Sequence, residues 1–162
     1  AQAIESGDVA IAHFALIDGK RRYNRGLVKQ SLIAERRQFL DLVIQWPGSY
    51  YYSALWNKLY RQNIIEEHDL KFREDIIWGE DCLFNMNYYR HVGSAVYTPE
   101  VVYHYDRKVS GLSWGSVFNL HKGVRIKQMI YRALKRLYVE SNLYCRYWFR
   151  VQLYILNVTL TH

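Results

Sequence analysis

Two adjacent carboxylates, Glu80 and Asp81, follow Trp78-Gly79 where an apolar, helix-like pattern begins that runs to residue 92. Open backbone N–H groups in the first turn of a helix, together with the helix dipole, favour an anion at that place. An ionised carboxylate at the edge of a sheet can take the proton of a hydroxyl that attacks an electrophile. The same position also suits an acidic residue that only caps the helix. Spacing alone leaves both roles open. Neighbours in the chain cannot flank one glycosidic bond from opposite faces, where hydrolase carboxylates stand about 5–9.5 Å apart. Hydrolysis is therefore disfavoured. His104 lies in a stretch rich in Tyr and Val, where a hydrogen-bonded strand histidine is the plain reading.

These residues need elements to hold them. Residues 8–17 form an apolar run of buried-strand length, Asp18-Gly19 is a tight-turn pair, and 20–23 can return as an exposed antiparallel strand. From 27 to 44 the pattern becomes helical, with Val28, Leu32, Phe39 and Val43 on one face, until Pro47-Gly48 ends it. A shorter helix is expected over 52–61, with Leu55, Trp56 and Leu59 towards the core, then an irregular or extended connection over 64–72. The helix 81–92 stops at Gly93. Residues 95–105 read as a strand that Pro99 turns into an edge or a bend. Two helices follow over 116–159, separated near Glu140-Ser141-Asn142.

The order of the motifs resembles family 2 glycosyltransferases, the inverting GT-A enzymes that build bacterial surface polysaccharides from nucleotide sugars. The resemblance rests on Trp56-Asn57-Lys58-Leu59-Tyr60-Arg61, then Leu70-Lys71-Phe72 before Gly79-Glu80-Asp81, with Phe84 and Asn85 in the following helix. It closes with Val102-Tyr103-His104-Tyr105, Arg107 and Ser110-Gly111-Leu112-Ser113. No one piece is specific, but four in order at natural spacings are much harder to dismiss. The resemblance implies an α/β fold: residues 1–115 as the C-terminal half of a GT-A mixed sheet with helices, and 116–162 as a basic amphipathic helical tail.

It further implies transfer of a hexose, with inversion, from a nucleotide sugar to a hydroxyl of a polysaccharide or lipid-linked acceptor, as in exopolysaccharide synthesis. Asp81 would be the base and Glu80 its support. Trp56, Asn57 and Lys58 would lie on the substrate side, and Arg107, Lys108 and Ser110 would neutralise the departing diphosphate, since cations stabilise charge developing on a leaving group. His104 would match the late histidine that some GT-A enzymes add to the donor's metal. The family's Asp-x-Asp, which holds Mg or Mn and the sugar diphosphate, has no counterpart in this sequence. The chain is thus expected to be a fragment, inactive alone, whose donor half lies elsewhere.

Composition bounds the alternatives. Half of the 162 residues are hydrophobic and 16% aromatic, enough for a packed core. Cys82 and Cys145 stand without neighbouring His or Cys at ligand spacing, which suits free thiols in a reducing cytoplasm. There is no Gly-rich phosphate loop, no Gly-x-Ser-x-Gly and no His-Glu-x-x-His. The formal charge of +7 is uneven: residues 1–106 hold 12 Lys and Arg against 14 Asp and Glu, and residues 107–162 hold 10 against one. Such a tail suits an anionic partner. Leu120, Val124, Tyr131, Leu134 and Tyr138 recur at helical spacing opposite Lys122, Arg125, Arg132 and Arg136, which predicts peripheral attachment to the inner leaflet of a membrane; packing of that face on protein is the other reading. The rival functions are a nucleic-acid-binding module, from the Tyr-Arg-Trp-Phe run at 144–150, and a catalytically dead interaction domain. The near-neutral first 106 residues disfavour nucleic acid.

Overall fold

The computed structural model describes residues 7–47, 49–76, 78–106 and 120–160. Its centre is β1 (Val9–Asp18), flanked on both edges, whose continuous apolar sequence reflects burial of both faces through most of its length. Asp18-Gly19 turns the chain, with Gly19 at φ 61, into the exposed β2 (Arg21–Arg25), antiparallel to the second half of β1. β3 (Leu32–Glu35) leads directly into α1 (Arg36–Val43), and α2 (Tyr50–Ser53) is a single turn. β4 (Lys58–Tyr60) pairs antiparallel with the first half of β1, and α3 is Gln62–Glu67. α4 (Glu80–Tyr88) runs into a 3₁₀ turn, Tyr89–His91. β5 (Ser94–Asp106) lies parallel to β1 and carries β3 on its other edge, giving the order β2-β1-β5-β3 with β4 beside β1.

Three sequence expectations change here. The helix expected over 27–44 survives only as α1, because residues 32–35 find a free edge on β5 and pair there, Leu32 opposite Tyr97 and Glu35 opposite Ser94. Strand pairing overrides a helical pattern that Glu35 already interrupted. The helix expected over 52–61 is instead a turn, a loop and β4. Alternation along β4 turns Lys58 and Tyr60 inwards and leaves Leu59 exposed, the reverse of the expected core position. The connection expected to be irregular over 64–72 begins with α3. Pro99 falls where β3 has ended, and the parallel register slips there, His13 facing Val101 after Ala12 faces Thr98. The proline is carried at a bulge on a locally free edge.

Asp8 sets the parallel pair at its start. Its Oδ2 accepts the N–H groups of Gly93 (2.7 Å) and Ser94 (3.1 Å), and its own N–H donates to Ser94 O at 2.9 Å. Gly93 therefore ends the helical segment by bonding sideways to β1's leader, not through a left-handed cap.

The tail is a helical hairpin, α5 (Leu120–Glu140) and α6 (Tyr144–Leu160), broken at 141–143 with Asn142 at φ 57. It belongs to the same core as the sheet. Ile126, Ile130, Leu134, Leu137 and Tyr138 are buried against α4 and α1, and Tyr138 donates from its hydroxyl to Leu40 O. This corrects the basis of the membrane expectation: Leu134 and Tyr138 of the proposed lipid face are fully buried, while Val124 of that face is exposed. Tyr147 of the 144–150 run likewise turns inwards, donating to Asp41 Oδ1 and packing edge-on to Tyr138. Among the described residues no helix is long and apolar enough to cross a membrane.

Candidate functional site

Gly79 is the N-cap of α4, at φ 78 and ψ 3, so Glu80 and Asp81 occupy the first and second helical positions. The cap position itself has no side chain, and neither carboxylate fills it. The first α4 bond runs from Leu83 N–H to Gly79 O at 3.0 Å. Glu80 Oε2 is enclosed yet accepts no hydrogen bond among the described residues. Asp81 is half-buried; burial raises its carboxyl above the ordinary aspartate value, Glu80 raises it further, and Lys58 opposes both.

Lys58 is the unexpected member. It is 8% exposed, and its Nζ donates to Tyr51 O (2.8 Å), Ala54 O (2.6 Å) and Asn57 Oδ1 (2.7 Å). Three acceptors match the three hydrogens of an ammonium, whereas a neutral amine offers two. Burial pushes the group well below the usual lysine range, and the neighbouring Cys82 and Asp81 act to keep it charged. The same burial pushes the Cys82 thiol up to about 12, against the pull of Lys58. Lys58 thus stands as a buried positive charge within electrostatic reach of the Asp81 carboxylate, with its hydrogens committed to protein oxygens.

Asn57 and Asn85 complete the support. Asn57 Nδ2 donates to Ala12 O (3.1 Å) and Tyr51 O (3.2 Å), tying the 51–57 loop to β1. Asn85, one turn beyond Asp81, donates to Ser53 O (2.8 Å) and Asp81 O (3.0 Å) and accepts the Tyr60 hydroxyl at 2.7 Å. The Tyr60 ring sits edge-on to Tyr88 and Phe84, and Phe72 stacks on Phe84 at 4.4 Å. The motifs at 56–61, 70–72 and 79–85 therefore meet around the mouth of α4.

Trp56 lies apart from this network. Its indole stacks on Tyr103 (4.5 Å, 20°) and Tyr105 (5.7 Å, 21°) and meets Phe14 edge-on at 4.6 Å. His104, between the two tyrosines, is on the opposite strand face and exposed. Among the described residues no group of three or more His, Cys, Asp or Glu could hold a metal ion, so these residues do not by themselves fit the divalent cation that the resemblance implies. Arg107, Lys108 and Ser110 lie outside the described residues.

The mixed sheet with its packed helices is consistent with a glycosyltransferase-like fold. The crystal structure of S. aureus TarS 1-349, a glycosyltransferase, matches it with a TM-score of 0.53 at 17% identity, over 83% of this chain. The match spans 34% of the TarS chain. No protein-family model matches the chain, and no curated protein does.

Proposed function

We propose that this chain is the acceptor-side part of an inverting GT-A glycosyltransferase, which moves a hexose from a nucleotide sugar to a hydroxyl of a polysaccharide or lipid-linked acceptor. One observation carries the reading: Asp81 stands half-exposed at the second position of α4, backed by the buried Lys58 ammonium and beside Glu80. A base must be ionised when it meets its substrate and yet willing to take a proton. Burial and Glu80 raise Asp81's affinity for that proton, while Lys58 favours the anion. Asp81 would receive the proton of the acceptor hydroxyl as that oxygen attacks the anomeric carbon from the side opposite the nucleoside diphosphate. Glu80 would support the base by raising its affinity for that proton.

Lys58 and Asn57 act in this reading behind the site rather than on substrate. Trp56 with Tyr103 offers an aromatic surface of the kind that stacks on sugar rings, and Tyr103 is 39% exposed. Donor and divalent metal would be held chiefly by chain beyond these residues; a bound Mg or Mn would neutralise the leaving diphosphate. Arg107, Lys108 and Ser110 remain candidates for contact with that group.

Replacement of the base in the intact enzyme tests the reading. Asp81→Asn should lower turnover by about 10²–10⁴-fold, the usual share of general-base catalysis, with donor affinity and fold retained. Turnover unchanged in a folded Asp81→Asn enzyme removes Asp81 from the chemistry.

A further inference from the structure

Asp81 is aimed by the turn that precedes it, and that turn rests on the tail. Gly79 sits against α5: a Cβ at position 79 would lie 3.1 Å from Ile130 Cδ1 and 3.2 Å from Ile126 Cγ2. Those distances are tighter than ordinary carbon contacts. Ile126 and Ile130 are four apart, so they project from one face of α5 a turn from each other, and both are buried. Glycine at 79 thus answers two demands, the left-handed φ of 78 and the close approach of two isoleucines.

The platform beneath the turn is itself fixed at a distance. Tyr138, further along α5, bonds to Leu40 O, and Glu140 is held by Arg90 (2.5 Å) and Arg136 (2.7 Å). Arg36 reaches Val92 O at 2.5 Å and Ser141 Oγ at 2.8 Å, binding the hairpin's bend to the end of the 3₁₀ turn. From Ile126 to Tyr138 a helix rises about 18 Å. α5 therefore works as a strut, pinned at its far end and pressed at its near end on the peptide that starts α4.

We propose that Ile126 and Ile130 are positioning residues for Asp81, so that the helical hairpin is a working part of the reaction centre rather than an appended tail. The inference rests on the assignment of Asp81 as base. Trimming either isoleucine removes the surface that holds the Gly79 peptide and lets the first turn of α4 shift. A displacement near 1 Å at a reacting group costs on the order of 10²-fold in rate.

A double-mutant cycle in the intact enzyme tests this. Ile130→Ala should lower kcat about 10- to 100-fold with donor KM within about twofold, assayed where the protein is fully folded, in line with that misplacement cost. Exchange of the Leu83 amide hydrogen, which closes the first turn, should quicken. Val124→Ala, exposed on the same helix, should change neither. In the Asp81→Asn background the Ile130→Ala loss should vanish, since the two act through one group. Should Ile130→Ala fail to fold, Ile130→Val, which deletes the Cδ1 that faces Gly79, takes its place, with a severalfold loss of kcat expected and the same cycle applied. A folded variant that melts earlier but keeps kcat, or a cycle whose effects simply multiply, overturns the positioning role. Full turnover in Asp81→Asn alone instead overturns the base assignment, which separates the two failures.

Discussion

The mouth of α4 and the far end of β5 both carry residues suited to chemistry, and they are built in opposite ways. At α4, three segments distant in the chain lock together: Asn85 binds Ser53 and Asp81, Lys58 binds Tyr51 and Ala54, and Asn57 binds Ala12. Buried polar groups so fully partnered hold one geometry, because any departure strands a donor or acceptor. At β5, His104 points to solvent from a strand paired there with β1, no metal-holding cluster of His, Cys, Asp and Glu includes it among the described residues, and Tyr103 and Tyr105 on the other face gather under Trp56. A prepared reaction centre differs from a suggestive residue by what the neighbours have given up to hold it.

Substitutions can break or sharpen that contrast. The largest effect on stability belongs to Lys58. Lys58→Met takes a donor from three inward-facing oxygens and leaves Asn57 Oδ1 with none, and stability should fall by about 1–3 kcal/mol, the cost of a buried polar group left unpartnered. Urea denaturation measures it; a loss below about 1 kcal/mol would mean that Lys58 is held no better than a surface lysine.

Asp81 gives an effect of opposite sign. Its carboxyl titrates above the ordinary value, first through burial and then through Glu80, so the native chain holds that proton more tightly than the unfolded chain. Stability therefore falls as pH rises from the unfolded value through the raised native one. Asp81→Asn should melt above the wild type at pH 7, and the gain should disappear below about pH 3.8, where both states of the wild type are protonated. An identical gain at both pH values would trace to something other than charge. The smallest effect is expected at His104. His104→Ala should leave stability within about 0.5 kcal/mol, as surface changes do, in a thermal melt.

Much of this framework can be read before folding is seen. The Asp18-Gly19 turn, the strand before it, the break at 141–143 and the start of α4 follow from residue types that act locally. The misread segments are those decided by partners far away. Residues 32–35 become a strand only because β5 leaves an edge open. Lys58-Leu59-Tyr60 becomes a strand with its charge inwards because Tyr51, Ala54 and Asn57 supply oxygens there. No local pattern announces backbone carbonyls from another turn. The inverted order, polar in and apolar out, is the one trace that the sequence carries. The tail misled for a related reason: its positive charges crowd one side of the helix and set the composition, while Ile126, Ile130 and Leu137 on the other side set the structure.

The bonds that join α1 to the hairpin span 98, 105 and 106 positions, from Leu40 to Tyr138, Arg36 to Ser141 and Asp41 to Tyr147. At about 5–20 residues per second, a ribosome makes α1 roughly 5–20 s before its partner exists. Through that interval Leu40 waits for Tyr138, and the Gly79 turn waits about half as long for Ile126 and Ile130. The order of synthesis thus leaves the floor of the reaction centre open to chaperones and proteases until the first helix of the hairpin has been made.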